Sequence, residues 1–294
     1  MVKKVVVTGG KGGTGKSVVA VNLALALAKV RDVILADEDV EAPNDHILMG
    51  LDYGDLRERE EVRVALPFID VSKCVKCGLC SRVCSESAIV ITSEGLPLVI
   101  PRLCSGCKAC IYACPTKAIN EGKRVIGYTY LTPLNIGDVG LTLVTGVLIE
   151  GEERSYPVVI ATDERAKKYA KDLLIVDTAP GSSITVAASI NEANLVIAVT
   201  EPTPLGAHNL ELVLEIASGL GIEYWVVLNR SNIAPSKPIK KVLDKYKAKL
   251  ALKIPYSMNI LESYIKREPI VVYKPETNEA RAFFSLANEI NEVL

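Results

Sequence analysis

The sequence predicts an α/β fold, a mostly parallel sheet with helices on both faces, interrupted by a small α+β insertion. Three observations carry that reading. Apolar, β-branched runs alternate with helical stretches at both ends of the chain, a glycine-rich loop joins the first run to the first helix, and a central block holds every cysteine.

The elements follow in order. Residues 2–8 (VKKVVVT) form a β-branched strand ending in glycines, residues 15–29 a helical pattern, and residues 33–36 a second strand closed by Asp37-Glu38-Asp39. Strand, glycine loop, helix, strand is the opening of a parallel α/β sheet. The rhythm resumes late in the chain, with strands expected at 173–176, 195–199 and 224–228 and helical stretches including 166–171 and 206–217. Short final strands are expected at 254–255 and 270–272, and a closing amphipathic helix at 278–293. Residues 237–253 carry seven lysines against Asp244. Ile239, Val242, Leu243, Tyr246 and Leu250 form the apolar stripe of a helix there, with its lysines solvated. Residues 62–128 break the rhythm: KCVKCGLCSRVCSESAIV is echoed by RLCSGCKACIYACPTKAIN, and residues 88–98 between the two cysteine runs read as a hairpin. The expected division is a discontinuous domain of residues 1–61 and 129–294 with an inserted domain of residues 62–128.

Composition narrows the function classes. Among 294 residues, 34 basic side chains face 35 acidic ones, so no overall charge drives the chain toward nucleic acid or an anionic membrane. No apolar run reaches the roughly 18–20 residues needed to span a bilayer. The N-terminus enters a strand at once and lacks the pattern of a secretory signal, so a cytoplasmic protein is expected. Eight cysteines in such a compartment do not read as four disulfides.

Gly10-Lys11-Gly12-Gly13-Thr14-Gly15-Lys16-Ser17 fits G-x-x-x-x-G-K-[ST]. In such a P-loop successive N–H groups and the following helix N-terminus bind phosphate oxygens, Lys16 reaches the β- and γ-phosphates, and Ser17 offers a hydroxyl to Mg²⁺. The run KGGTGKS resembles the deviant Walker A motif of the MinD/ParA family of P-loop ATPases, which includes the nitrogenase iron protein and the Mrp/ApbC iron–sulfur ATPases. That resemblance implies an ATP-dependent dimer, with Lys11 at the position whose lysine reaches the nucleotide of the other subunit. It also implies roles for three later segments. Asp37-Glu38-Asp39-Val40-Glu41-Ala42-Pro43-Asn44 resembles switch I, with Asp39 orienting the attacking water. Asp177-Thr178-Ala179-Pro180-Gly181 looks like the Walker B and switch II element, with Asp177 acting on Mg²⁺ through water. Asn229 and the loop at Pro255 match residues that border the adenine base.

Cys74, Cys77, Cys80 and Cys84 follow C-x₂-C-x₂-C-x₃-C, and Cys104, Cys107, Cys110 and Cys114 repeat it, followed by Pro115. This is the bacterial two-cluster ferredoxin pattern, in which the fourth cysteine of each run ligates the other cluster. It assigns one [4Fe–4S] cluster to Cys74, Cys77, Cys80 and Cys114 and the other to Cys104, Cys107, Cys110 and Cys84. Zinc needs four ligands only and does not account for the doubled pattern. Ser85 departs from it, standing where proline is usual. The whole chain resembles the MinD-type P-loop ATPases with an inserted ferredoxin domain.

That resemblance implies ATP, Mg²⁺ and two [4Fe–4S] clusters as cofactors. The partners it implies are a second copy or a related ATPase in a heterodimer, and a redox partner protein; nucleic acid and membrane are not expected partners. The leading expected function is an ATPase cycle coupled to electron transfer. An iron–sulfur carrier of Mrp/ApbC type is the alternative, and a ParA-like positioning ATPase with redox-sensing clusters a second. The Mrp/ApbC carriers hold a labile cluster through a C-terminal C-x-x-C, whereas no cysteine here follows Cys114.

Overall fold

A computed structural model describes residues 2–294. In chain order the elements are β1 (Lys3–Thr8), α1 (Lys16–Ala28), β2 (Val33–Glu38), α2 (Asp45–Leu48), β3 (Glu60–Ile69), α3 (Leu79–Arg82), β4 (Ile89–Ile91) and β5 (Pro97–Val99). They continue through α4 (Ala109–Ala113), β6 (Ile119–Ile136), β7 (Val139–Leu148), α5 (Tyr156–Tyr169), β8 (Leu173–Thr178), α6 (Ile184–Ile190), β9 (Leu195–Thr200) and α7 (Pro204–Gly219). The last are β10 (Glu223–Leu228), α8 (Lys237–Tyr246), β11 (Lys249–Lys253), α9 (Met258–Lys266), α10 (Ile270–Tyr273) and α11 (Asn278–Val293). The chain forms two compact units. One comprises Met1–Glu60, Thr129–Val147 and Val158–Leu294; the other comprises Glu61–Tyr128 and Leu148–Pro157.

In the first unit the strands run in the order β11-β10-β9-β1-β8-β2-β7, each parallel to its neighbours. The central strands β1, β2, β8 and β9, buried on both faces, read as continuous apolar runs, as parallel strands do. Val6, Ile34, Ala36, Val144, Leu174, Val176 and Val196 pack on one face against Ala166 of α5, Val186 and Ile190 of α6, and Ala217 of α7. Strand alternation sends Val5, Val7 and Leu35, all fully buried, to the opposite face, where α1 lies on β1, β2 and β8 and packs against α10 and α11. The register sets Asp37 of β2 beside Asp177 of β8, and Asp177 beside Val7 of β1. Ligands of open α/β sheets bind at this carboxyl edge of the strands.

Three expectations need correction. Residues 270–272 are helical: α10 follows Pro269, and the Val271 N–H donates to Asn22 Oδ1 of α1 at 3.2 Å. The lysine-rich helix stops at Tyr246, capped by Lys247 at φ +50°. Lys249-Leu250-Ala251-Leu252-Lys253 then alternates with a period of two and pairs with β10, so Leu250 belongs to a strand. The final strand thus lies ahead of 254–255, although the Ile254 N–H still reaches Leu228 O at 2.9 Å. The strands β3, β6 and β7 and the start of α5 at Tyr156 carry no clear pattern in the sequence.

In the second unit β3 lies beside the first half of β6, and β4 and β5 form the hairpin read from residues 88–98, with Ile89 opposite Val99. Its buried apolar cluster is small: Ile89, Cys110 and Ile119, with Ile69, Val83 and Val99 packed around them. Among the described residues, no helix is long and apolar enough to cross a membrane.

Glu38, next to Asp37, points to the other face and is fully buried, accepting the Ser189 hydroxyl near the Lys4–Asp163 ion pair of 2.7 Å. Burial pushes its carboxyl up to about 8, with Lys4 pulling it down and Asp163 pushing it up. An acid with a raised folded-state pKa holds a proton that the unfolded chain has released, so its contribution to stability falls as pH rises from 4.5 to about 8. Glu38→Gln should flatten this decline, read as a smaller difference between urea midpoints at pH 5 and pH 8.5 than in the parent chain.

Candidate functional site: a phosphate loop, buried carboxylates and two thiol-lined cavities

Between β1 and α1 the chain turns through Gly13 at φ +78° and Gly15 at φ +93°, conformations that glycine adopts without strain. Gly15 is the N-cap of α1 and has no side chain to occupy the helix N–H groups, and the first turn carries no acid. The positive end of the helix is therefore left to an external anion. Lys16 is 5% exposed and Thr14 is buried, whereas Gly12 and Gly13 face solvent. Gly10 is pressed against α7: a Cβ there would stand 2.4 Å from the Cβ of Asn209. Asn229, after β10, donates from Nδ2 to Thr14 O at 2.7 Å and accepts from the Arg230 N–H at 2.9 Å, so it braces the loop. Pro255 is exposed on the following loop, where the Tyr256 N–H donates to Asn232 Oδ1 at 2.7 Å. Lys11 does not extend freely: its Nζ lies 2.9 Å from Glu201 Oε2, and Glu201 also takes Arg230.

Lys16 and Ser17 meet a group of carboxyl side chains. Asp177 is fully buried; burial pushes its carboxyl up to about 7, against the pull of Lys16 and the Ser17 hydroxyl. Asp39, partly buried, is pushed up to about 6 by burial, with Lys16 pulling it down and Glu41 pushing it up. Asp37 organises the loop after β2, accepting the N–H groups of Asp39 at 3.2 Å, Asn44 at 2.9 Å and Asp45 at 3.1 Å. Asp45, which opens α2, is fully buried, and one carboxylate oxygen from each of Asp37, Asp45 and Asp177 lies within 4.8 Å of the others.

In the second unit the two cysteine runs adopt one backbone path twice. Left-handed residues recur at matching places: Lys76 and Gly106, Gly78 and Lys108, Ser87 and Lys117. The Ala88 N–H donates to Cys84 Sγ at 3.3 Å, and its counterpart on Ala118 donates to Cys114 Sγ at 3.2 Å. All eight thiols are free of disulfides. They line two small cavities of about 20 Å³ each, one with Cys84, Cys104, Cys107 and Cys110, the other with Cys74, Cys77, Cys80 and Cys114. Each cavity thus has three cysteines of one run and the fourth of the other. Burial and the nearby Cys104 push the Cys110 thiol up to about 11, so bringing these sulfurs together as thiolates calls for a cation. Arg154 closes over the first cavity's run, donating to Cys104 O and to Glu152. Burial would raise the Glu152 carboxyl, but Arg154 and Arg124 hold it at about 2.

The sequence profile described as the CobQ/CobB/MinD/ParA nucleotide binding domain matches residues 5–270. The chain belongs to this family. It is a MinD/ParA-type ATPase. It is 34% identical to the Methanocaldococcus jannaschii protein MJ0579 over 274 residues, 93% of each chain. It is 27% identical to the iron-sulfur cluster carrier protein of Aquifex aeolicus over 297 residues, spanning 100% of this chain and 68% of that one. A 56-residue stretch, 18% of this chain and 17% of the other, is 48% identical to one component of the Na⁺-translocating ferredoxin:NAD⁺ oxidoreductase complex of Acetobacterium woodii. Among solved structures, the fold is similar to MinD of Pyrococcus horikoshii complexed with Mg-ADP, at a TM-score of 0.61 and 20% identity over 100% of this chain and 97% of that one.

Within this MinD/ParA-type unit, sequence reasoning does not single out Glu201, Asp37 or Asp45. Glu201 follows β9 in an ordinary turn, Asp39 is the acid of Asp37-Glu38-Asp39 that the motif favours, and an acid in the first turn of a helix, as Asp45 is, reads as a dipole partner. The glycines separate fold from ligand. Gly10→Ala should lower the unfolding free energy of the nucleotide-free protein by about 1–3 kcal/mol, because α7 must shift. Gly12→Ala, whose Cβ meets nothing within 4 Å, should change it by less than about 0.5 kcal/mol, as urea titration would show.

Proposed function

We propose that the protein hydrolyses MgATP as a dimer and couples that cycle to electron transfer through two [4Fe–4S] clusters. The observation that carries the reading is the pair of thiol-lined cavities, each with three cysteines of one run and one of the other. Cys74, Cys77, Cys80 and Cys114 would hold one cluster, and Cys104, Cys107, Cys110 and Cys84 the other. Such clusters exchange electrons at potentials set by charge, hydrogen bonds to sulfur and exposure. The Ala88 and Ala118 N–H groups donate to the Cys84 and Cys114 sulfurs and stabilise negative charge there, and Arg154 pins the backbone carbonyl of Cys104.

On the nucleotide side, Gly10–Ser17 would cradle the phosphates, with Lys16 on the β- and γ-oxygens, Ser17 and Asp177 serving Mg²⁺, and Asn229 and Pro255 bordering the base. The Asp177 carboxylate, buried beside the Ser17 hydroxyl, suits that cation. Asp39 would orient the attacking water. Its carboxyl, raised to about 6, is ionised above that pH and available to accept the water's proton. Lys11 must leave Glu201 to serve a partner's nucleotide. The chain runs directly from the Asp37–Asn44 loop through α2 into the strand that opens the cysteine unit, a covalent path between the two chemistries.

A second reading, iron–sulfur carriage, draws support from the name of the Aquifex relative. Against it, all eight cysteines fall in the two closed sets and no thiol remains for a transferable cluster. Anaerobically purified protein should hold about eight iron atoms per chain and pass none to an apo-ferredoxin; efficient transfer would favour carriage. Cys84→Ser should remove the signal of the cluster served by Cys104, Cys107 and Cys110 while sparing the other. Lys11→Ala should leave stability within about 1 kcal/mol but abolish ATP-dependent dimerisation in sedimentation velocity.

A further inference from the structure

Four carboxyl groups, Asp37, Asp39, Asp45 and Asp177, gather at the carboxyl edge of β2 and β8, and the ammonium acting on Asp39 and Asp177 is that of Lys16. Three of the acids are fully buried. A buried carboxylate without a donor or counter-charge is costly, so fixed positive charge, a proton or a bound cation must compensate it. Asp37 is compensated in part, taking three backbone N–H groups. Asp45 is not: neither of its oxygens has a donor within hydrogen-bond geometry, and the Asp177 oxygens likewise have none, with only the Ser17 hydroxyl, the Lys16 ammonium and the Asp45 carboxyl acting on them from nearby. Asp45 follows directly on the Asp37–Asn44 loop, and its own N–H bonds Asp37, so the backbone that Asp37 folds delivers the Asp45 carboxylate to the same point.

We propose that Asp37, Asp45 and Asp177 form a binding site for a hard divalent cation that fills without nucleotide, with Asp45 as the ligand that makes this possible. One oxygen from each residue lies within 4.8 Å of the other two. Oxygens on opposite sides of Ca²⁺ stand about 4.6–5.2 Å apart and those around Mg²⁺ about 4.0–4.2 Å, so the set accommodates ions of this range with small side-chain adjustments. The donors are oxygen only, which excludes a preference for soft metals. This site goes beyond the Mg²⁺ that accompanies a nucleotide at Ser17, because its three protein ligands need no phosphate oxygen to complete a charge balance. A cation there would fix Asp37, and with it the Asp39–Asp45 loop, before ATP arrives.

The test uses the full-length protein with its clusters oxidised, nucleotide-free, and Mn²⁺ as the probe. Free Mn²⁺ is read from its room-temperature EPR signal. One Mn²⁺ should bind per chain, with Mg²⁺ competing, and Asp45→Asn should weaken this binding at least tenfold while Mn²⁺ still binds in the presence of ATP. Mg²⁺ alone should raise the melting temperature of the parent chain. Asp45→Asn and Asp45→Leu, which each remove a buried charge, should melt higher than the cation-free parent and no longer respond to Mg²⁺. If the nucleotide-free parent binds no Mn²⁺ and gains no stability from Mg²⁺, a shared proton bridges Asp45 and Asp177 and the cation site is wrong. MgATP binding in that same protein would leave the nucleotide reading standing. Cation binding without any ATP binding would instead sink the nucleotide reading and keep the site.

Discussion

The parallel register of β1, β8 and β2 is the constraint on which the nucleotide-binding unit depends. Pairing Asp37 with Asp177, one strand away from the end of β1, fixes two buried acids beside the point where the chain leaves the sheet for the Gly10–Ser17 loop. A shift of one residue would turn both side chains to the other face and bring Ala36 and Val176 into their place. The apolar packing on both faces forbids that shift, so the same burial that stabilises the sheet also holds carboxylates in a place where they are expensive. Lys16, nearly fully buried, offsets part of that expense, and a bound cation would offset more. Stability and chemistry are therefore opposed at this edge, as expected where a site is built from buried like charges.

The cysteine unit rests on a different balance. Its buried apolar cluster is small for its length, and its helices α3 and α4 are single turns. A core of that size does not order a chain by itself, and small domains of this kind draw on cross-links or metal ligation. Crossing the fourth cysteine ties each half of the repeat to the other, so filling either cavity would order both halves. The buried Glu152, held ionised by Arg124 and Arg154, adds a charged clamp between Leu148–Pro157 and the rest of the unit.

What the sequence made legible follows the strength of the local signal. β1, α1, β2, β8, β9 and β10 are apolar runs bounded by glycines or acids, and the doubled cysteine spacing announces a repeat before any contact is known. The β6–β7 hairpin is harder to read because Thr and Gly interrupt both strands. The Ile270-Val271-Val272 run is β-branched and suggests a strand; Pro269 at its N-cap and a bond to Asn22, distant in sequence, make it a helix. Residue types in the phosphate loop are plain from the motif, whereas the Lys11–Glu201 pair and the approach of Asp45 to Asp177 are tertiary facts with no local pattern.

We propose that nucleotide chemistry and the clusters the thiols would hold belong to one working cycle. The most direct measurement is a potentiometric EPR titration of the full-length protein, poised by dithionite with mediators, in the absence and presence of MgATP, with Lys16→Ala as the nucleotide-blind control. Coupling requires two interacting [4Fe–4S]⁺ signals whose midpoint potentials move when MgATP binds, and no movement in Lys16→Ala. Two signals with potentials indifferent to MgATP would contradict the coupling, and a protein that binds MgATP but shows no cluster signal at all would contradict the whole assignment.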